Sequence, residues 1–515
     1  MQSNCTPFAM TFAAAQMLSQ SFADSSGLLP HLAPEYYRAF YERGVRRWLA
    51  WYDGYVSEVH GSGTAGIVST QIGRILVDRA NDAVFGGGIM FQNENAPCLV
   101  DEKGVSRSLT AISDRWAPRA RFAAHVKQAC KYAMAGGTGL LKLNRDTRGE
   151  LWIDAYRADR FFPVLDMAGN VEEVKTVLTV FGGERDASFA LCEERYYKDT
   201  VLTRRIPVRC FSVYRLSRGV GNALSSRVDW KAIPRNFKQY LAKNYGHIRI
   251  DEEQALPFAT LGCYAFRYTD GCEWYGDIGL GESMLAPIMQ CLLSYDYYWS
   301  AFNTDMYLGR GRVILKKQFK PRNDAEGGNY NAGLDSFVYE QVPSYTPEEQ
   351  KPVPIQFELR AADWREIRNN LMESMAFALG LSVGTLASFL SDASNRTARE
   401  ISAEESATAR FVEARRKQFE GPANDCLRDV CLYYGFTDLV TVRWSLAGQT
   451  NIDAVSTRVM QEYREGIRSL KSAVCAINPD LDEHQVLEEI ERIERDGHKR
   501  AASLYGDIGG ASEVF

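Results

Sequence analysis

The stretch "NRTAREISAEESATARFVEARRKQFEG" (395–421) has the composition of a helix, yet it carries polar side chains on almost every face. Thr397 and Glu400 stand three residues apart, as in a capping box, and predict that the helix begins there. Acidic residues crowd its first half and basic residues its second half, which matches the polarity of the helix dipole. Because such a helix lacks an apolar stripe, we expect it to lie outside a domain core.

Small side chains give this helix flat faces. Ala398, Ser402 and Ser406 recur four residues apart, and Ala403 and Ala407 repeat the spacing. This pattern favours close packing against copies of the same helix, although a solvent-exposed helix with i,i+4 ion pairs is the open alternative. The candidates for the helix cap and for packing between subunits are Thr397, Glu400, Ser402 and Ser406.

Two further helices precede the quoted stretch. Their predicted ranges are 282–308 and 362–380, and the first would be about 40 Å long. Between them, residues 310–360 form an insert with strand-like ends and a polar middle. Residues 381–396 then lead into the quoted helix, which Gly421-Pro422 should kink or break.

The remainder of the chain mixes helical and strand patterns, so the predicted fold class is α+β. Gly-Asn and Lys-Asp-Thr turns join β-rich runs into consecutive antiparallel hairpins. The predicted elements are helices over 34–56, 67–88 and 117–134, a helix resuming over 423–434, a helical region over 451–500 with a break at Pro479, hairpins over 151–183 and 188–216, and strands over 263–268 and 438–446.

Composition narrows the function classes. The 515 residues carry a net charge of −5, so no broad basic field indicates a sequence-specific DNA reader. Eleven scattered cysteines are typical of free thiols in a reducing compartment. No apolar run is long enough to predict a membrane span, and we expect a cytosolic protein when it is made.

Enzyme motifs are weak. "GSGTAG" (61–66) matches a dinucleotide-binding pattern, but a helical pattern precedes it where a buried strand is needed. "GLSVG" (380–384) offers Ser382 as a nucleophile, with His484 or His498 as a base, but it too follows a helix. No Gly-Lys dipeptide exists, so a P-loop is excluded. We therefore predict no enzyme activity, no catalytic residue, no metal and no cofactor, with a cytosolic α+β serine hydrolase using Ser382 as the alternative.

The residues "SDASNRTAREISAEESATARFVEARRKQFE" (391–420) resemble the signature region of tailed-bacteriophage portal proteins of the siphophage-like family. In that family a T-A-x-E-(I/V) sequence opens a long helix after the tunnel loop. "ADRFFPVLDMAGNVEEV" (158–174) is similar to the portal strand pair around a P-x-x-D-x-x-G-x-(V/I) turn. The resemblance covers residues 35–500 in order.

The resemblance implies a portal fold with a named role for each segment. These roles are a flexible N-terminal segment (1–33), an α/β wing with antiparallel strands (34–281), a first stem helix (282–309), a clip (310–361), a second stem helix (362–380), a tunnel loop (381–396), a kinked spine helix with a wing strand (397–450) and a helical crown (451–515).

The resemblance also implies a function. Portal proteins form a dodecameric ring, the head–tail connector, at one capsid vertex, through which double-stranded DNA is packaged and ejected. Their partners are further copies of the same chain, double-stranded DNA, the large terminase, a head–tail adaptor, and the major capsid and scaffolding proteins. Portals are found in the virion, and in the host cytoplasm during assembly, without a membrane. ATP hydrolysis belongs to the terminase, which agrees with the missing P-loop.

Two groups of residues follow as candidate DNA contacts, and a ring-forming scaffold without DNA stays open as a third class. A channel with few cations would let DNA pass, whereas a strongly basic one would hold it. We predict weak phosphate contacts in the tunnel loop from Ser388, Ser391, Asn395 and Arg396. We predict a basic patch in the clip, near DNA or an acidic partner, made of Lys316, Lys317, Lys320 and Arg322.

Overall fold

A computed structural model describes most of the chain. The described residues are 35–54, 67–86, 88–93, 107–146, 148–166, 171–182, 187–199, 205–217, 225–245, 248–272, 279–308, 312–316, 339–342, 353–355, 361–384, 386, 398–444, 452–478, 485–493 and 495.

The helices follow one another along the whole chain. They are α1 (Glu35–Phe40), α2 (Arg46–Asp53), α3 (Ile72–Phe85), α4 (Arg107–Thr110), α5 (Ala117–Arg119), α6 (Phe122–Gly136), α7 (Arg235–Tyr245), α8 (Met289–Leu308), α9 (Ala361–Leu379), α10 (Ala398–Tyr433), α11 (Ile452–Arg464) and α12 (Leu470–Ile477). Short π-helical segments, Tyr41–Val45 and Ala111–Trp116, link α1 to α2 and α4 to α5.

The strands fall mostly in the first half of the chain. They are β1 (Ile89–Asn93), β2 (Thr138–Arg145), β3 (Leu151–Arg157), β4 (Phe161–Leu165), β5 (Val171–Gly182), β6 (Ala187–Asp199), β7 (Arg205–Ser217), β8 (Ser225–Arg227), β9 (Gln254–Ala255), β10 (Cys263–Arg267), β11 (Arg312–Lys316), β12 (Tyr339–Val342), β13 (Val353–Ile355) and β14 (Val440–Trp444). The predicted α+β class is confirmed.

The chain divides into two compact units. Unit 1 comprises Met1–Arg46, Val77–Met284 and Glu405–Phe515, and unit 2 comprises Arg47–Leu76 and Leu285–Glu404. Unit 1 therefore contains eleven of the fourteen strands given above, whereas unit 2 contains β11, β12 and β13 together with helices α8 and α9.

The largest sheet of unit 1 has the strand order β4-β5-β6-β7-β8 and is antiparallel, with β9 added beside β7. Strand β6 pairs with β7 over its full length, which confirms the predicted hairpin over 188–216. Helix α7 covers one end of this sheet because Phe237 and Leu241 pack on Phe189 and Leu191. The sequence pattern did not predict α7.

A second sheet of unit 1 has the order β10-β2-β3 and is antiparallel. The sequence pattern predicted β10 but missed β2. It also read residues 151–183 as one hairpin, whereas β3 pairs with β2 and only β4 and β5 pair with each other. The short turn between Arg157 and Phe161 thus connects β3 of this sheet to β4 of the largest sheet.

Helix α10 corrects two expectations about the quoted stretch. It runs for 36 residues through Pro422 without interruption. Of the predicted kink or break at Gly421-Pro422, the break is therefore wrong, whereas the kink stays a prediction. Its second half is also not polar all round, because Phe411, Val412 and Phe419 are buried. Apolar burial continues beyond the proline at Ala423, Cys426 and Leu427, and this packing holds the helix together where the proline removes one hydrogen bond.

The basic residues of α10 serve tertiary contacts and not the helix dipole, because they lie in the middle of the helix where the dipole has little effect. Arg416 is buried, and its Nε donates to the Val84 carbonyl at the end of α3, 2.8 Å away. Arg415 donates to the Tyr268 carbonyl and lies over the Tyr268 ring. Lys417, paired with Glu413 on the surface, does fit the alternative of a solvent-exposed helix with i,i+4 ion pairs.

Helix boundaries differ from the predictions where the backbone leaves helical geometry. The predicted helix over 117–134 restarts at Phe122, because Arg121 adopts a left-handed conformation with a φ of 52°. The predicted helix over 282–308 begins at Met289, after a 3-10 turn, Ala286–Ile288, that contains Pro287. It is therefore about 30 Å long.

Unit 2 contains the predicted helix–insert–helix order. Helix α9 corresponds to the predicted helix 362–380, and α10 begins at Ala398, as the capping box predicts. Within the insert, β11 pairs antiparallel with β13 and parallel with β12. Strand β12 was not predicted.

Substituting Gly139 by alanine should destabilise unit 1, because helix α6 lies directly on β2 at this point. A Cβ at Gly139 would lie 2.2 Å from the Ala129 carbonyl oxygen. Since backbone must move to relieve this overlap, we expect Gly139→Ala to lower the free energy of unfolding by about 1–3 kcal/mol or more, measured by urea unfolding.

Gly271→Ala is the matched control, because nothing lies within 4 Å of a Cβ at this position and its φ lies outside the left-handed region. This substitution should leave the free energy of unfolding unchanged or raise it by about 0.4–1 kcal/mol. Small effects of the same sign at both positions would contradict the close approach of α6 to β2.

Candidate assembly surface and buried ionic cluster

The residues predicted to contact DNA lie outside the described part of the chain or have no described side chain. Lys316 ends β11, and Glu400, Ser402 and Ser406 belong to α10, but only their backbone is described. The relative positions of these side chains therefore lie outside the described structure. The residues wholly outside the described ranges are Ser388, Ser391, Asn395, Arg396, Thr397, Lys317, Lys320 and Arg322.

Ser382 follows a helix and not a strand. Helix α9 ends at Leu379, Gly380 turns the chain with a φ of 67°, and the Ser382 carbonyl accepts a hydrogen bond from Leu386 N. A nucleophile elbow needs a strand entering the turn, so this local geometry differs from one. His484 and His498 lie outside the described residues. The hydrolase alternative stays a prediction.

Helix α9 covers one face of α8 in unit 2. Trp364 packs against Tyr298 and Phe302, with ring centroids 5.5 and 6.0 Å apart. Its Nε1 donates to Asp305 Oδ2 at 3.1 Å. At about 100° per residue, these three partners share one face of α8.

The opposite face of α8 is covered by residues 67–70. Asp296 is buried, and its Oδ1 accepts hydrogen bonds from the Thr70 amide at 2.9 Å and the Thr70 hydroxyl at 2.7 Å. One turn later, Ser300 Oγ accepts from the Val68 amide. Both residues lie on the side of α8 away from α9, so the helix is held between two layers.

The two remaining sides of α8 are exposed, and each carries at least one large aromatic side chain. Tyr297 is 47% exposed on one side, whereas Trp299 and Met306 are 36% and 45% exposed on the other. At about 100° per residue, the two sides lie about 180–200° apart around the helix. We name them the tyrosine edge (Tyr297, Ala301, Thr304) and the tryptophan edge (Trp299, Met306).

Helix α9 also presents an apolar side chain away from α8. Phe377 is 90% exposed, whereas Met375 and Ala376 beside it are buried. Exposed aromatic side chains of this size in one small unit are typical of surfaces that another chain covers.

A cluster of three charged side chains is buried between the two sheets of unit 1. Glu193 Oε2 lies 2.8 Å from Lys142 Nζ, and Glu193 Oε1 lies 2.7 Å from Arg195 Nε. None of the three side chains is more than 4% exposed. Lys142 comes from β2 and the other two from β6, so this cluster links the sheets.

The remaining donors of the cluster are also satisfied. Arg195 Nη1 donates to the carbonyls of Leu143 and Leu261, and Nη2 donates to Asn144 Oδ1. Lys142 Nζ donates to Thr176 Oγ1 and lies 4.5 Å from the centre of the Tyr156 ring. Full pairing of this kind makes a buried ionic group tolerable.

The pKa values keep the cluster charged at neutral pH. Burial alone would raise the pKa of Glu193, but Arg195 and Lys142 outweigh it and lower that pKa to about 2. Burial alone would lower the pKa of Lys142, but Glu193 and Tyr156 outweigh it and raise it. Since neither group titrates near neutral pH, the cluster is suited to joining the sheets and not to proton transfer.

Sequence reasoning missed both the cluster and the edges of α8. Lys142 stands alone within the apolar run Leu140–Leu143, which is a signal for a buried cation. Glu193 and Arg195 gave no comparable signal, because charged residues within an alternating strand usually face water. On α8, apolar side chains occur on every face, which is a signal for a helix covered on all sides.

The described residues show few other chemical features. They contain no group of three His, Cys, Asp or Glu side chains placed to hold a metal ion. The nine cysteines among them are all free thiols, as predicted. No helix in the described ranges is long and apolar enough to cross a membrane. In comparisons with known proteins, no family model matches the chain and no curated protein matches it.

Replacing Glu193 by glutamine should destabilise the protein in a pH-dependent way. The substitution leaves two buried cations without a counter-charge, which costs about 3–5 kcal/mol. The carboxyl has the ordinary glutamate pKa of 4.5 when unfolded and a pKa of about 2 when folded, so its contribution is complete above pH 4.5 and is lost towards pH 2. Urea unfolding of both proteins should therefore show a difference that is constant from pH 7 to 5 and shrinks below pH 4.5.

Glu253→Gln is the control, since Glu253 forms an exposed ion pair with Lys198. Exposed pairs contribute little, so this variant should unfold almost like the wild type at pH 7. A Glu193→Gln difference that grows on acidification would contradict the charged state of the cluster.

Proposed function

We propose that this chain is a portal-type ring subunit that conducts double-stranded DNA into and out of a phage capsid. The observation that carries the proposal is the pair of exposed edges on opposite sides of α8. A twofold dimer uses one patch twice, whereas a ring uses two different patches on each subunit. Two apolar edges on opposite sides of one helix meet the second requirement.

The two edges also differ in a complementary way. The tryptophan edge presents large side chains, whereas the tyrosine edge presents the small side chains of Ala301 and Thr304 beside Tyr297. Large groups of one copy would fit over small groups of the next, which supports a head-to-tail contact between neighbouring subunits.

The order of elements in unit 2 supports the portal class in particular. A helix, an insert with a small sheet, a second helix, a short connection and the long helix α10 follow each other in the order that the portal resemblance implies. In this proposal α8 and α9 surround the channel, and the insert binds the large terminase and later the head–tail adaptor. Lys316, Lys317, Lys320 and Arg322 would contact DNA or an acidic partner there.

The charge of the chain supports a conduit. With a net charge of −5, a ring of copies would bind DNA weakly, since affinity for the backbone depends on cations that neutralise phosphates. Residues 381–396 would form the tunnel loop, with Ser388, Ser391, Asn395 and Arg396 near the DNA. The assembled protein would lie at the capsid vertex, beside the major capsid and scaffolding proteins.

Charged substitutions on either edge of α8 should block ring assembly. Tyr297→Glu and Trp299→Glu each place an unpaired carboxylate at the contact, which costs about 3 kcal/mol, or about 100-fold in affinity. We expect dodecameric rings from the wild type and monomers from each variant, measured by mass photometry after mild chemical crosslinking.

Mixing the two variants separates a ring contact from a twofold one. Tyr297→Glu retains its tryptophan edge and Trp299→Glu its tyrosine edge, so the mixture should give heterodimers that cannot grow. Trp230→Glu is the control, because Trp230 is similarly exposed in unit 1, at 44%. Rings formed by either edge variant alone would show that α8 does not form the contact.

Imaging of the wild-type ring tests the conduit. We expect a central channel wide enough for a DNA duplex, with residues 388–396 facing the ring axis. A ring without such a channel, or with these residues pointing outward, would contradict the DNA function and leave a scaffold role.

Ser382→Ala tests the alternative enzyme class. Because this proposal gives Ser382 no chemical role, the variant should form rings like the wild type, and neither protein should hydrolyse ester or peptide substrates. Hydrolysis by the wild type that disappears in the variant would refute the portal proposal in favour of a serine hydrolase.

A further inference from the structure

Strand β10 is an edge of its sheet. Among the described strands it pairs only with β2, in the register Cys263↔Lys142 to Arg267↔Thr138. Leu143 N donates to the Gly262 carbonyl, and Tyr268 N donates to the Gly137 carbonyl. Hydrogen-bonded and non-hydrogen-bonded pairs alternate along an antiparallel ladder. The even-numbered residues of β10 therefore form backbone hydrogen bonds with β2, and the backbone groups of Cys263 and Ala265 point away from β2.

These outward backbone groups find no partner within the part of the chain that the structure describes. No described residue forms a hydrogen bond with the backbone N–H or C=O of Cys263 or Ala265. Cys263 is only 8% exposed, so its backbone groups have limited access to water, whereas Ala265 is half-buried. Backbone groups in such places are normally paired, and an open sheet edge is a template for a further strand.

A cleft of about 530 Å³ runs along this edge. Its walls come from β10, from the end of α10 and from the ends of β4 to β7. The size falls within the range of roughly 300–1,000 Å³ that is usual for binding pockets.

Several charged groups in the walls already have partners within the protein. Arg205 binds Glu172 at 2.9 Å, and Arg428 binds Asp425 at 3.0 Å. Asp429 accepts hydrogen bonds from the hydroxyls of Tyr264 and Thr260. A strongly charged ligand would disturb these pairs, so the cleft favours a nearly neutral occupant that offers backbone hydrogen bonds.

We propose that the N-terminal segment of this chain, residues 1–34, occupies the cleft and adds a strand to β10. The described chain starts in the same unit, where the Tyr37 hydroxyl donates to the Ala158 carbonyl and the Tyr37 ring packs on Phe162 of β4. Asp166, just after β4, lines the cleft. A segment of 34 residues spans up to about 110 Å, so it is long enough to extend from Glu35 to the cleft.

The sequence of the segment fits this role. Asp24 is its one Asp, Glu, Lys or Arg side chain, so the segment is nearly neutral. Within "PFAMTF" (7–12), Phe8, Met10 and Phe12 alternate with Ala9 and Thr11, a pattern typical of a half-buried strand. An added strand uses its backbone for affinity and alternate side chains for specificity.

Hydrogen exchange on the full-length protein and on a variant lacking residues 2–34 tests the proposal. Deletion should expose the outward amides, so the peptide covering 263–267 should exchange at least about tenfold faster, while β2 keeps its protection. Unchanged exchange at 263–267 after the deletion would overturn the proposal.

Ala265→Pro tests the same contact from the other side. Proline removes only the amide that points into the cleft, and edge strands tolerate it. Peptides from residues 5–12 should be protected in the wild type and in the control Ala265→Val, and should lose that protection at least about tenfold in Ala265→Pro. If β2 also loses protection, the proline has disrupted the sheet and the deletion variant alone decides. An N-terminal segment that exchanges freely in the wild type would refute the proposal.

Discussion

The architecture of unit 1 depends on one buried carboxylate held between two buried cations. Glu193 lies between Lys142 of β2 and Arg195 of β6, and so fixes the three-stranded sheet against the six-stranded sheet. Arg195 extends this constraint, because it also binds the carbonyl of Leu261, two residues before β10. The position of the open edge, and of the cleft beside it, therefore follows from an ion pair that no solvent reaches. Each charge is tolerable inside the protein only because the other two and their hydrogen-bond partners are present.

The local pattern of the sequence was sufficient for the elements whose signal lies within a short stretch. Lys198-Asp199-Thr200 between two β-rich runs predicted the β6–β7 hairpin, and Thr397 with Glu400 predicted the start of α10. Pro422 misled, because proline is normally a helix breaker, and here buried neighbours on both sides keep the helix continuous. Strand β2 was missed because the helix before it and the glycines around it obscure a run that is apolar on both faces.

The candidate sites depend on tertiary contacts that no short pattern records. In the sequence, Arg416 resembles a surface residue. Its burial is explained by the hydrogen bond that its Nε donates to the Val84 carbonyl, which is distant in sequence. The edges of α8 could not be separated from its covered faces either, since apolar residues surround the helix. Trp364 and Thr70, distant in sequence, decide which faces are covered. The exposed edges are the parts of the α8 surface that these contacts leave uncovered.

In the proposed assembly, the opposite edges of α8 have a geometric consequence for the number of subunits in the ring. When identical units join through two different surfaces, the number of units is set by the angle between those surfaces and not by any residue that measures size. A closed ring of twelve needs a turn of about 30° at each contact, and one of thirteen needs only about 2° less. Side-chain packing alone tolerates such differences, so a unique number would have to be imposed by the surroundings in which the subunits first meet.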